Sequence, residues 1–244
     1  MRHNRVFAIA YRLFLLLIAA IVIVPGNSQD QKPQRQSHPR KVDENRFPIA
    51  DYTAAGPSDP KERSKRQEKG KKYDKSEWRI YPETTSSMAR VDYVNPNMPA
   101  LPVTESTAVI VGQVTDAKAY LSNDKTGVYS AFTIQVNEVL KNSSKVPLST
   151  SSIIEVERDG GRVRFPDGRT LIYTISSQDM PLVGLRYVLF LTNPPGLSDF
   201  QILTGYELRE GKVYPLDDLP NLYRYENADE LSFLAELRNR IANP

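Results

Sequence analysis

The sequence predicts an all-β fold, a small β-barrel over residues 107–216 that carries one helix at its carboxyl end. Two segments lead to this prediction. The segment at 132–136 alternates, with Phe132, Ile134 and Val136 on one face and polar residues between them, as in a half-buried strand. The segment at 185–191 is apolar except for Arg186, which is typical of a central strand covered on both faces.

The other strands follow from glycines and tight turns. The first predicted strand, at 109–114, contains Gly112 inside its apolar run, as expected at a bulge or a bend of a barrel. A turn at 166–169 leads into a strand at 170–175. Glu210-Gly211 separates the last two strand-like segments and predicts a final hairpin.

Asp159-Gly160 lies between two strand-like segments and predicts a hairpin with a two-residue turn. In this register Glu157 faces Arg162, and Glu155 faces Arg164, so that one side of the ribbon pairs opposite charges. A loop at Gly160-Gly161 would move the register, but each side of the ribbon would keep its character.

The carboxyl-terminal segment, 217–244, begins irregularly and then predicts a helix. Asn227 offers a helix cap, and Glu230 follows three residues later as in a capping box. Apolar residues then recur at helical spacing, namely Leu231, Leu234, Leu237 and Ile241. We expect a helix from 228 to about 242, with its apolar stripe on the barrel.

Residues 1–28 have the features of an export signal. Arg2, Arg5 and Arg12 provide positive charge before and beside an unbroken apolar run at 13–24. The alternative is an uncleaved membrane anchor formed by residues 6–24. Both interpretations place the remainder of the chain outside the cytoplasm, in the periplasm or secreted, because the basic flank stays inside.

Two further segments separate this signal from the barrel. Residues 29–76 are rich in charged residues and poor in apolar ones, which predicts a disordered basic linker. The alternative is a basic arm for anionic lipid, polymer or nucleic acid, but interspersed acids weaken its field. Residues 77–106 contain several prolines and predict an extended lead-in, with Trp78 as an apolar anchor on the domain.

The composition excludes several kinds of enzyme. The chain has no cysteine, and its two histidines, His3 and His38, precede the predicted barrel. Thiolate chemistry, the usual zinc sites and Ser-His-Asp triads are therefore not expected in the barrel. We find no phosphate-binding glycine loop or nucleophile-elbow motif, and we expect no catalysis, cofactor or metal. The net charge of +3 is too small to indicate nucleic acid.

Three segments together resemble a group of bacterial exported proteins. They are Ile110-Val111-Gly112-x-Val114, the strand at 132–141 and Gly184-x-Arg186-Tyr187-Val188-Leu189-Phe190-Leu191. That group is similar to the OB-type barrels of the netrin and metalloproteinase-inhibitor (TIMP-like) kind, and the resemblance covers about residues 107–216. Those inhibitors depend on an amino-terminal cysteine and on disulfides, which this chain lacks, so protease inhibition is not implied.

The candidate site is a possible binding surface rather than a catalytic set. It consists of Arg158, Arg169, Tyr173, Tyr187 and Tyr206. The two arginines lie near tight turns, and the tyrosines could stack on sugars or bases. The same arginines could instead pair with acids, and tyrosine is also simply a good strand residue. The adjacent Asp217-Asp218 could bind a cation, but such residues are more often solvated caps.

The function expected from these features is that of an exported, non-catalytic binding module of the cell envelope. Its partner would be an envelope or extracytoplasmic protein or an anionic polymer, and only the amino-terminal segment would meet a membrane. The first alternative is an OB-type barrel that binds a glycan or single-stranded nucleic acid, and an aromatic surface flanked by basic residues would favour it. A weaker alternative is a carboxylate-dependent hydrolase, and two carboxylates facing each other in a cleft would favour it.

Overall fold

The computed structural model describes residues 44–90, 97–193 and 199–243. The predicted signal or anchor, and residues 29–43 of the predicted linker, lie outside the described residues. Within the described ranges the fold is mostly β, with a helix at the carboxyl end, which confirms the predicted fold class. None of the helices in these ranges has the length and apolarity that a membrane span requires.

The described residues form eleven strands and two α-helices. The strands are β1 (Ile49–Asp51), β2 (Met88–Arg90), β3 (Ala108–Leu121), β4 (Val128–Asn142), β5 (Ile153–Asp159), β6 (Gly161–Arg164), β7 (Thr170–Ile175), β8 (Arg186–Thr192), β9 (Phe200–Arg209), β10 (Lys212–Pro215) and β11 (Ala228–Asp229). The α-helices are α1 (Pro60–Lys71) and α2 (Glu230–Ala242), and short 3₁₀ turns lie at Glu44–Arg46 and Leu222–Tyr225.

Five strands of the larger sheet pair in a closed cycle. The order is β3, β4, β5, β9 and β8, and β8 pairs again with β3. The β5–β9 pair is parallel and the other four are antiparallel. The predicted alternation of β4 is confirmed, because Phe132, Ile134 and Val136 are buried in the core enclosed by these strands. The strand β8 is buried along most of its length, as predicted for a central strand.

The predicted bend at Gly112 is also present. The β3–β4 register shifts between Val111 and Gly112. A Cβ atom at Gly112 would lie 3.0 Å from the carbonyl oxygen of Gln135 and still closer to Ile134. Glycine therefore allows the two longest strands to approach closely at the point where they curve.

A smaller sheet has the order β1-β6-β7-β2. The predicted turn at 166–169 joins β6 and β7 as an antiparallel hairpin. The flanking strands β1 and β2 come from the segments predicted as linker and lead-in, and each pairs in parallel. Trp78 is 2 % exposed and packs on the ring of Tyr173, which confirms its role as an apolar anchor.

The predicted hairpin at Asp159-Gly160 is wrong. The chain leaves the larger sheet after β5 and enters the smaller sheet as β6, so that the two strands do not pair with each other. The reason is that β4 and β9 already occupy both edges of β5. Gly160 has a φ of +99° and forms a corner between sheets. The predicted Glu–Arg pairs across the ribbon consequently do not exist.

The prediction of a disordered linker is wrong over residues 60–71, which form α1. Asp59 caps this helix by accepting a hydrogen bond from the amide of Lys61, and Pro60 occupies the first turn. Lys69 and Gly70 are buried against the sheet although the helix has no apolar stripe. Ion pairs with residues distant in the sequence hold α1 in place. The amino-acid composition of the segment does not reveal such pairs.

The carboxyl-terminal helix is confirmed, but it begins two residues later than predicted. Asp229, rather than Asn227, caps α2 by accepting a hydrogen bond from the amide of Ser232 at 2.9 Å. Asn227 has a φ of +61°, which is a turn conformation. The buried face of α2 covers the outside of the larger sheet through Phe233, Leu234 and Leu237.

Candidate functional site

The three tyrosines of the sequence-predicted surface lie in the core. Tyr173, Tyr187 and Tyr206 are each at most 1 % exposed. The hydroxyl of Tyr187 accepts a hydrogen bond from the amide of Leu182, and the hydroxyl of Tyr206 donates to the carbonyl of Ala100. These rings therefore support the fold and cannot form a stacking surface.

Arg158 is buried as well, and it is paired. Its guanidinium lies 2.6 Å from the carboxylate of Asp217. Asp217 also accepts hydrogen bonds from the hydroxyl of Thr204 at 2.8 Å and from the amide of Asp179 at 2.9 Å. Asp217 is therefore part of a buried polar network and not a solvated cap. Its neighbour Asp218 accepts a hydrogen bond from the hydroxyl of Tyr223.

Arg169 joins the lead-in to the smaller sheet. It donates hydrogen bonds to the carbonyls of Pro82 and Thr84 and pairs with Asp167 in its own turn. The structure thus does not bring the five sequence-predicted residues together. Four of them are buried, and the fifth holds two segments of backbone in place.

A cleft elsewhere in the described residues has the properties of a binding site. It lies between the loop at 51–57 after β1, the helix α1, and the end of β3 with the turn that follows it. Its volume is about 700 Å³, within the range of roughly 300–1,000 Å³ that is usual for ligand sites. Four cationic side chains line it, namely Arg63, Arg66, Lys118 and Lys125.

Two of these cations lie over tyrosine rings that also line the cleft. The guanidinium carbon of Arg66 is 4.3 Å from the ring centroid of Tyr120. The ammonium of Lys125 is 4.9 Å from the ring centroid of Tyr52 and donates to the Tyr52 carbonyl at 3.0 Å. Each pair gains a cation–π attraction, which restricts the position of a side chain that would otherwise move freely in solvent.

The cleft is predominantly positive. Asp51 is the single carboxylate among its described lining residues, and it accepts hydrogen bonds from the amide and the hydroxyl of Thr53 at 2.9 and 2.7 Å. These hydrogen bonds hold the pKa of Asp51 below its ordinary value. Lys118 is partly neutralised by Asp116 at 3.1 Å, and their hydrogen bond raises the pKa of Lys118. Among the described residues, no acidic side chain forms an ion pair with Arg63, Arg66 or Lys125.

The turn after β3 is organised by Asp124. Its carboxylate accepts hydrogen bonds from the amide of Lys75 at 2.7 Å, the hydroxyl of Ser122 at 2.7 Å and the hydroxyl of Thr126 at 2.8 Å. Burial alone would raise the pKa of Asp124, but the hydrogen bonds prevail and hold it well below its usual range. The turn that carries Lys125 is thereby fixed in shape before any ligand arrives.

A buried ionic cluster attaches α1 to the larger sheet. The ammonium of Lys69 lies 3.1 Å from both Glu157 and Asp199 and also contacts Glu155. Lys72 adds a contact of 3.2 Å to Glu157. Burial would lower the pKa of Lys69, but the hydrogen bond to Glu155 and the neighbouring carboxylates raise it above its ordinary value. The cluster fixes the wall of the cleft that carries Arg63 and Arg66.

The sequence did not identify this cleft. Its basic residues lie in the predicted linker and in the polar connection between the first two strands, which are far apart along the chain. The one local signal was Asp59-Pro60, which is a typical start of a helix. Within the described ranges no group of three or more His, Cys, Asp and Glu side chains is placed to hold a metal ion.

The comparisons with known proteins do not indicate a family. No protein-family model matches the chain. A comparison with curated proteins likewise found no significant match. The function has to be inferred from the cleft itself.

Proposed function

We propose that this chain is an exported, non-catalytic binding module that holds an anionic partner in the cleft between α1, the loop at 51–57 and the turn after β3. One observation carries the proposal: four cationic side chains and two tyrosine rings line a single cleft whose one described carboxylate is already hydrogen-bonded. The attraction of an anion to several cations in a partly enclosed site is the property that this arrangement provides.

We also propose that the strands of the larger sheet form an OB-like barrel. The closed cycle of five strands, with one parallel pair and a bend at Gly112, supports an OB-like barrel of the kind that the sequence resembles. Export rests on the apolar run and basic flank at residues 1–28. An exported module would meet its partner in the cell envelope or outside the cell.

A carboxylate-dependent hydrolase is the second candidate, and one observation bears on it. Glu155, Glu157 and Asp199 converge, but they converge on the ammonium of Lys69, and the side chain of Glu157 is fully buried. Glycoside hydrolysis requires two carboxyl groups on either side of a substrate that can enter between them. Asp51 is the one carboxylate among the described residues that line the cleft, so these residues favour binding over hydrolysis.

The test compares two double variants with the same change of charge. Arg66→Gln with Lys125→Gln removes two cations from the cleft. Lys65→Gln with Lys145→Gln removes two exposed cations, one on the same helix and one in another loop, which do not line it. Binding of the full chain to dextran sulfate is measured beside neutral dextran. We expect the cleft variant to bind at least about tenfold more weakly, because each charge-assisted contact contributes about 1.5 kcal/mol or more.

Equal binding of dextran sulfate by the two double variants would overturn the assignment of the cleft as the anion-binding site. Turnover is assayed in parallel on glycans, peptides and esters. Reproducible turnover that a single Asp or Glu substitution abolishes would overturn the non-catalytic assignment.

A further inference from the structure

We infer that the ligand of the cleft is an acidic glycan, a sugar chain that carries carboxylate or sulfate groups. This inference rests on the proposed function and names the class of its partner. It follows from three features: the tyrosine rings are already engaged, the cations have unused hydrogen-bond donors, and neutral amides lie beside those cations.

The tyrosine rings are not arranged as a platform for nucleobases. Tyr120 lies under the guanidinium of Arg66, and its ring centroid is 5.6 Å from that of Tyr129. Tyr52 lies under Lys125, and its ring centroid is 5.3 Å from that of Phe165. Binding of single-stranded nucleic acid relies on aromatic faces that are open to successive bases. Here the rings position cations, so the cleft recognises charge.

The cations that the rings position can still bind a ligand. In the part of the chain that the structure describes, the Arg66 guanidinium forms no ion pair, and it presents the planar fork that matches a carboxylate or sulfate. Lys125 donates one hydrogen bond to the Tyr52 carbonyl and has three donors in all. These two cations lie on different walls of the cleft, α1 and the turn after β3.

Neutral polar groups beside the cations suit hydroxyl groups. Gln67 lines the cleft with an exposed side-chain amide, which offers both donors and an acceptor. Its carbonyl accepts a hydrogen bond from the side chain of Asn123 at 2.8 Å, which holds α1 against the turn. The loop at 51–57 lines the cleft with the small, exposed residues Ala54, Ala55 and Gly56. A ring bearing hydroxyls needs this mixture of donors and acceptors, whereas a bare phosphate chain does not.

The distribution of charge also favours a glycan over nucleic acid. Proteins that bind single strands provide a positively charged groove that follows the backbone over several nucleotides. The net charge of this chain is +3, and the cleft of about 700 Å³ is lined by four cations rather than by a long row of them. A cleft of this size and charge suits one or two acidic units of a polymer whose charge density is lower than that of a nucleic acid.

The experiment uses the full chain and a panel of defined oligomers of similar length. The panel consists of oligogalacturonate for carboxylate, heparin fragments for sulfate, oligo-dT, polyphosphate and neutral dextran. We expect an acidic glycan to bind at least about tenfold more tightly than oligo-dT and polyphosphate. Arg66→Lys keeps the charge but removes the fork, and we expect it to weaken binding of that glycan severalfold, with Lys65→Arg as the matched control.

The outcomes separate the two proposals. Tightest binding to oligogalacturonate or to heparin supports the inference and identifies the acidic group. Tightest binding to oligo-dT or polyphosphate overturns the inference but leaves the anion-binding function standing. Binding to all polymers no tighter than to dextran overturns the proposed function as well. Melting temperatures of the Arg66 and Lys65 variants confirm that both remain folded.

Discussion

Replacement of Lys69 by Met tests whether the ionic cluster is the main attachment of α1 to the larger sheet. Lys69 is 7 % exposed, and the Glu157 carboxylate beneath it is fully buried. Breaking a buried ion pair typically costs about 3–5 kcal/mol, since a charge is left without its partner. Lys72 and Tyr73 still contact Glu157 at 3.2 and 3.0 Å, so we take the lower end, about 3 kcal/mol.

This cost should appear as local opening of α1, because the helix has no apolar stripe to retain it. A loss of about 3 kcal/mol raises the open population on the order of 100-fold. Amide hydrogen exchange followed by mass spectrometry should show this change in peptides that cover residues 62–73. Lys65→Met on the exposed side of the same helix is the control and should leave exchange nearly unchanged.

The stabilisation of α1 by Lys69 should not depend on pH near neutrality. Its folded pKa is raised, so its contribution is fully present below the unfolded value of about 10.4 and is lost only as the pH rises through the folded pKa. Unchanged exchange in the Lys69 variant, or equal acceleration in the Lys65 control, would refute the assignment of the ionic cluster as the attachment of α1.

Three further predictions concern the fold. Arg158→Met should lower the free energy of unfolding by about 3–5 kcal/mol, because Asp217 is left buried without a counter-charge. Adding Asp217→Leu should recover part of the loss in urea titrations, and no recovery would contradict a coupled pair. Gly160→Ala should cost about 1–3 kcal/mol, since φ is +99° and the new Cβ would lie 2.8 Å from the Tyr173 carbonyl oxygen; an unchanged melting temperature would contradict this. The depressed pKa of Asp124 means that its stabilising contribution is present above the unfolded pKa of about 3.9 and fades as the pH falls further. The stability difference between wild type and Asp124→Asn should therefore shrink between pH 5 and pH 2, and a constant difference would argue against this linkage.

Local sequence patterns were sufficient to predict the strands and the helix in which buried residues recur at a regular spacing. The alternation at 132–136, the apolar run of β8 and the helical spacing of Leu234 and Leu237 each reflect a side chain's direction within its own element. The Asp159-Gly160 signal was misleading because turn residues report a change of chain direction, not which strands become neighbours. One edge of β5 pairs with β4, the strand before it, and the other edge pairs with β9, which lies much further along the chain, so no edge is left for β6.

The site was not predictable for a related reason. Helix α1 is stabilised by contacts such as that of Lys69 with Glu155, 86 residues away in the sequence, so its own composition resembles a disordered segment. Tyrosines on strands look alike in the sequence, yet Tyr173 is buried whereas Tyr120 is half-buried at the cleft. Whether a given tyrosine contacts solvent depends on how the strands pair and on which segments cover the outer face of the sheet.

An amide chemical-shift titration of the full chain with a short oligogalacturonate tests most directly whether the cleft is the binding site. We expect the perturbed amides to cluster at 51–57, at 63–67 and at 118–125, and we expect an equal amount of neutral dextran oligomer to perturb none of them. Perturbations centred on other surfaces, or no perturbation at millimolar ligand, would contradict the claim that this cleft is the binding site.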